Sequence, residues 1–142
     1  MKKILFVCLG NICRSPMAEF VMKDLAKKAG RTDFEIASVA VSSDEVGNPL
    51  YPPARQELTK HGIACSGHVA RQITEKDLAY FDHIYYMDAS NARYLNRLFG
   101  EKAAKCRPLL DHDVADPWYT GNFEITYRDV VAGCSRILEE LT

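Results

Sequence analysis

Nothing in the 142-residue sequence approaches the ~20 consecutive apolar residues of a membrane span. Eighteen basic against nineteen acidic side chains leave a formal net charge of −1, so no bulk basic field points to nucleic acid or an anionic membrane. Any anion site has to be local. The five cysteines, at 8, 13, 65, 106 and 134, are odd in number and widely spaced, a poor disulfide framework. Reduced thiols and a cytoplasmic location follow as the expectation. His61, His83 and His112 lack ligand spacing, and no Cys/His set suits zinc. The opening "MKKILFVCLG" imitates a secretory signal, yet its apolar stretch ends at Gly10, and Asn11 and Arg14 stand where a small-residue cleavage site belongs. Repeats, low-complexity tracts and linkers are also missing, which predicts one domain over residues 1–142.

What is present is the makings of an α/β fold. "ILFV" (4–7) is a continuous apolar run suited to a strand buried on both faces. Ser15 as N-cap and Pro16 at the first helical position open a helix that Gly30 stops. "FEIASVAV" (34–41) reads as a second strand and Pro53–His61 as a helix ended by Gly62. "TEKD" (74–77) resembles a capping box before a third strand, "HIYYM" (83–87). Asp88 or Ser90 caps the next helix, which Gly100 ends. "CRPLL" (106–110) is a fourth strand that Pro108 consigns to a sheet edge. Tyr127, Val130, Val131, Cys134, Leu138 and Leu141 mark the apolar face of a final helix. Strands alternating with helices predict a parallel sheet covered on both faces, with the loop after strand one at the ligand-binding edge.

That loop is "VCLGNICRSP" (7–16). A strand, a loop and a helix amino terminus form an anion trap of inward N–H groups and the positive end of a helix dipole. Gly10 permits close approach or a positive φ, and Asn11 tolerates left-handed geometry. Arg14 adds a planar fork for two phosphate oxygens. The same positive field favours a thiolate at Cys8, and the Ser15 hydroxyl can hydrogen-bond to it. The arginine would hold the anion that the cysteine attacks. A cysteine closing a buried strand is otherwise a small inert hydrophobe. A proton donor is also needed, and Asp111, Asp113 and Asp116 are all candidates on residues alone.

"VCLGNICRSPMAE" resembles the signature of the low-molecular-weight protein tyrosine phosphatases. The similarity extends through "GNP" (47–49), "HGI" (61–63), "HVARQIT" (68–74), "FDHIYYMDASN" (81–91) and "DPWY" (116–119). The resemblance implies a three-layer α/β/α domain on a four-stranded parallel sheet, and hydrolysis of phosphotyrosine through a phosphocysteine, without a metal or other cofactor. It assigns Cys8 as nucleophile, Arg14 as phosphate clamp and Asp116 as general acid. Leu9, Gly10, Asn11, Ile12, Cys13 and Ser15 then shape the phosphate loop, Trp118 and Tyr119 wall the cleft, and Ser38 and His68 brace the loop. Asp88 caps its helix or joins that bracing. Cys13 is implied as a redox partner that captures an oxidised Cys8.

Ile12 stands where similar phosphoarginine phosphatases carry threonine, and an aliphatic wall suits a phenol better than a guanidinium. Where many relatives place an aromatic before "GNP", this chain has "SSDEV" with Asp44, predicting weaker binding of acidic phosphopeptides than of basic ones. Expected partners are phosphotyrosine proteins, a tyrosine kinase among the candidates, with inorganic phosphate and similar oxyanions as inhibitors and neither nucleic acid nor membrane. Arsenate reduction is the nearest rival, but its relay needs a further cysteine pair that Cys65, Cys106 and Cys134 do not provide. A phosphate-binding module without turnover is the other, and the joint presence of Cys8, Arg14 and Asp116 argues against it.

Overall fold

The apolar run at the amino terminus is the centre of the molecule. In the computed structural model, which describes residues 1–142, β1 (Lys2–Cys8) has parallel neighbours on both sides, β2 (Phe34–Ala40) and β3 (His83–Tyr86). Ile4 to Val7 are wholly inaccessible, as a strand with no free face requires. β4 (Cys106–Pro108) pairs with β3 alone, so the sheet order is β2-β1-β3-β4. Pro108 is thus tolerated because it sits on an edge.

Side-chain alternation along β1 divides the core in two. Ile4, Phe6 and Cys8 face α1 (Arg14–Lys28), α2 (Pro52–Lys60) and α6 (Phe123–Glu140), where they pack with Met17, Val21, Leu58, Val130 and Ile137. Leu5 and Val7 face the other way, with Val39, Leu78, Ile84 and Leu95, under α3 (Glu75–Tyr80) and α4 (Ala89–Phe99). The result is three layers, α/β/α. No helix is long and apolar enough to cross a membrane.

Local chemistry accounts for most element ends. Thr74 and Asp77 form the reciprocal capping box at α3, and Asp88 forms another with Asn91 at α4, so Asp88 rather than Ser90 is the cap. Gly30 and Gly62 follow α1 and α2 with positive φ. Several boundaries differ from expectation. α1 starts at Arg14 with Cys13 at its N-cap, because the Ser15 hydroxyl is turned into the preceding loop instead of capping the helix. α2 starts at Pro52 and ends at Lys60. The third and fourth strands stop at Tyr86 and Pro108, although Met87 and Leu109 beyond them are buried. A 3₁₀ turn (Gly100–Lys105) joins α4 to β4. A four-residue helix, α5 (Pro117–Thr120), forms within "DPWY". α6 begins at Phe123, a turn before Tyr127, because the Asn122 side chain accepts from the Ile125 N–H and fixes its start.

Candidate active site

Residues 9–13 curl from the end of β1 into α1, and the curl is held from behind. Asn11 is the only non-glycine residue with positive φ, 61°. Its fully buried side chain donates through Nδ2 to Ser15 Oγ at 2.7 Å and Ser38 Oγ at 3.0 Å, and its Oδ1 accepts the Arg71 N–H at 3.2 Å. Its carbonyl lies 2.7 Å from His68 Nε2 and can only accept, so that ring nitrogen carries the proton. Ser38 passes the bracing on by donating to Glu19 Oε1 at 2.6 Å. Gly10 serves close approach rather than positive φ: a Cβ there would lie 3.2 Å from Glu45 Cγ.

The curl surrounds one sulfur. The Asn11 and Ser15 N–H groups donate to Cys8 Sγ at 3.3 and 3.4 Å, and Ser15 Oγ lies 3.0 Å away. The Ser15 amide belongs to the first turn of α1, whose N–H groups have no helical acceptor. A negative sulfur is therefore stabilised by donors already in place.

Arg14 closes the loop. Its guanidinium is almost wholly buried, and Nη1 donates to Asp88 Oδ2 at 2.7 Å and the Val114 carbonyl at 2.8 Å. Nη2 reaches Asp116 Oδ2 at 3.5 Å, while Nε makes no hydrogen bond within the protein. Burial opposes the Arg14 charge, but the Cys8 sulfur and the Asp88 and Asp116 carboxylates outweigh it and raise the pKa. Asp116 itself caps α5, accepting the Trp118 N–H on Oδ1 at 3.0 Å.

A cleft of about 190 Å³ opens over the sulfur. Cys8, Leu9, Gly10, Asn11, Ile12, Cys13 and Arg14 form its floor, and Asp116, Trp118 and Tyr119 one wall. Ser42, Asp44 and Glu45 form the other. Trp118 leans on Tyr51, ring centroids 4.8 Å apart, and the Tyr51 N–H donates to the Ile12 carbonyl at 2.9 Å. The Cys13 thiol is pushed well up, first by burial and then by the Cys8 sulfur and Asp116.

The residues that the resemblance assigned to the site lie in this cleft or directly behind it. Asp111 and Asp113 do not: Asp111 pairs with His112, and Asp113 accepts the Ala89 N–H. Cys65, Cys106 and Cys134 are also absent from the lining. Three contributors have no signal of their own in the sequence, the walls at Ser42 and Glu45 and the Tyr51 backing, while Asp88, expected to cap its helix or join the bracing, does both, through the Asn91 N–H and Arg14. Asp88 and Ser42 each lie just past the carboxyl end of a strand beside β1, the edge where such sheets bind ligands, and that placement was the available signal.

A family model described as low molecular weight phosphotyrosine protein phosphatase matches residues 3–142. The chain is 41% identical to the low molecular weight protein-tyrosine-phosphatase YfkJ of Bacillus subtilis over 150 residues, covering 99% of this chain and 96% of that one. The crystal structure of YfkJ superposes with a TM-score of 0.95 at 40% identity, over 99% of this chain and 94% of the other. The human low molecular weight phosphotyrosine protein phosphatase is 41% identical over 151 residues, 98% of this chain and 95% of its own. A Drosophila arginine phosphatase shares the fold with a TM-score of 0.90 at 31% identity, over 100% of this chain and 98% of that chain.

Proposed function

The chain belongs to the low molecular weight phosphotyrosine protein phosphatases and is a hydrolase of phosphotyrosine monoesters, in which we propose that Cys8 is the nucleophile, Arg14 the phosphate clamp and Asp116 the general acid and then base. The observation that carries these roles is the sulfur facing two backbone N–H donors and the Ser15 hydroxyl at the bottom of a loop closed by Arg14 and Asp116. A phosphate seated in the curl receives loop N–H groups and the free edge of the Arg14 fork. Phosphorus then lies above Cys8, with the aryl oxygen outward toward Asp116.

The Cys8 thiolate attacks phosphorus, and the S–P bond forms as the P–O bond to the phenol breaks. Asp116, in its acid form, gives its proton to the departing phenolate. Asp116, now a carboxylate, takes a proton from water as the water oxygen attacks phosphorus. The S–P bond breaks, phosphate leaves, and the Ser15 hydroxyl and the two amides stabilise the released sulfur anion. Asp88 and the Val114 carbonyl hold Arg14 in place through both steps.

Leu9, Ile12, Trp118 and Tyr119 suit a phenyl ring, and the aliphatic Ile12 favours it over phosphoarginine. Residues 1–142 act as one phosphatase domain, the dependence on a free thiol fits the reducing cytoplasm, and inorganic phosphate competes for the loop. Substrates are phosphotyrosine proteins, with a tyrosine kinase among the candidates. The test is phosphate release from phosphotyrosine by the parent, Cys8→Ser and Asp116→Asn. Cys8→Ser is expected to release none, and Asp116→Asn to turn over slowly with a phosphorylated species visible in its intact mass. Full activity of Cys8→Ser would overturn the assignment, as would faster release from phosphoarginine for the choice of substrate.

A further inference from the structure

Beyond β2 the chain runs alongside the phosphate loop and is stitched to it. The Ser42 N–H and hydroxyl both donate to the Leu9 carbonyl, at 3.1 and 2.9 Å. The Asp44 N–H donates to Ser42 Oγ at 3.4 Å, and Asn48 Nδ2 donates to Glu45 Oε2 at 2.6 Å. Glu45 passes so close to Gly10 that no larger residue fits there without displacing it. The Glu45 carboxylate is thereby held on the cleft wall, half-buried, and the backbone of Asp44 is pinned beside it with its carboxylate exposed.

No cation answers them from across the cleft. Arg14 is the one basic residue in the lining, and Asp88 and Asp116 already engage it. Below the wall, loop amides and Arg14 are placed to hold a phosphate; at the mouth, the lining charge is negative. That field reaches inward: after burial, the Cys8 sulfur and Asp116, Glu45 also raises the Cys13 thiol. A phosphotyrosine seated between the two walls leaves its flanking residues at the mouth, of which Asp44 and Glu45 form one side.

We infer that Asp44 and Glu45 are specificity-determining residues that select phosphotyrosines flanked by lysine or arginine and disfavour those flanked by glutamate or aspartate. The inference rests on the hydrolytic reading above. It works by attraction to the right partner and by repulsion of the wrong one. The interaction is coulombic across solvent, so it fades over a Debye length of about 8–10 Å and weakens as salt is added.

The test compares kcat/KM for three phosphotyrosine peptides of identical length whose flanking residues are lysine, glutamine or glutamate. Para-nitrophenyl phosphate serves as a small substrate without flanks. The parent is expected to prefer the lysine peptide over the glutamate peptide about tenfold at low salt, a figure consistent with two charges at the rim of an exposed cleft. The span shrinks toward unity with added sodium chloride. In the double variant Asp44→Asn, Glu45→Gln it falls to about twofold or less at low salt. Ratios taken within one enzyme are insensitive to any loss of folded protein. Equal efficiency on the three peptides in the parent overturns the inference, as does an undiminished ratio in the double variant, while hydrolysis of para-nitrophenyl phosphate leaves the catalytic reading standing. If neither the small ester nor any peptide is turned over, the catalytic reading fails and the inference fails with it.

Discussion

Asn11 offers a test that separates backbone strain from hydrogen bonding. Asn11→Gly keeps access to a φ of 61° but loses three side-chain hydrogen bonds, to Ser15, Ser38 and the Arg71 N–H. At about 1 kcal/mol each, the loss is about 3 kcal/mol, the two bonds to Ser15 and Ser38 being buried and the one from the Arg71 N–H partly so. Asn11→Ala loses the same bonds and also forces a Cβ into the left-handed region, which adds about 1 kcal/mol. The bonds from its backbone, N–H to Cys8 Sγ and carbonyl to His68, are common to both variants. Urea denaturation monitored by Trp118 fluorescence gives the two stabilities. The expected order is parent, then glycine, then alanine, with kcat/KM on para-nitrophenyl phosphate falling in the same order as the sulfur loses its aligned donors. Alanine as stable as glycine would refute the strain argument. Either variant within about 0.5 kcal/mol of the parent would refute the claim that this side chain organises the loop.

Gly133→Ala is expected to cost about 1–3 kcal/mol of stability in the same urea assay, because its Cβ would lie 2.5 Å from Leu109 Cγ in the seam between α6 and the sheet edge. Tyr51→Ala removes the ring behind Trp118 and is expected to raise KM for aryl phosphates about two- to tenfold while leaving competitive inhibition by inorganic phosphate unmoved. An equal weakening of phosphate inhibition would count against that reading. Burial opposes the Asp77 charge, but Arg71 and the Thr74 amide outweigh it and hold the carboxyl below its usual range. A depressed carboxyl stabilises the fold above the unfolded value of about 3.9 and loses that contribution as pH falls below it. Stability measured from pH 5 downward is thus expected to fall more steeply in the parent than in Asp77→Asn, and parallel curves would contradict it.

The contiguous part of the site was legible because its physics is local. Cys8, Asn11, Arg14 and Ser15 lie within eight residues, and a strand–loop–helix order dictates where their amides point. Asp116 needed family resemblance, since Asp111 and Asp113 are equally plausible acids by composition. Ser42 and Glu45 reach the cleft, and Asp88 and Tyr51 the residues behind it, through the order β2-β1-β3-β4, and spacing along the chain does not encode which strand ends are neighbours. The layers followed from alternating patterns, whereas α5 is too short to show a period. Of the two uses the sequence offers the Ser15 hydroxyl, capping α1 or meeting Cys8, the structure shows the second, since a hydroxyl turned into the loop cannot also cap the helix.

Asp116, Trp118 and Tyr119 share one four-residue helix, anchored at its start by the carboxylate that also touches Arg14. On the roles proposed above, the turn that presents the ring wall also carries the proton donor. A substitution that shifts this turn is therefore expected to weaken aryl recognition and slow leaving-group departure together, rather than one without the other.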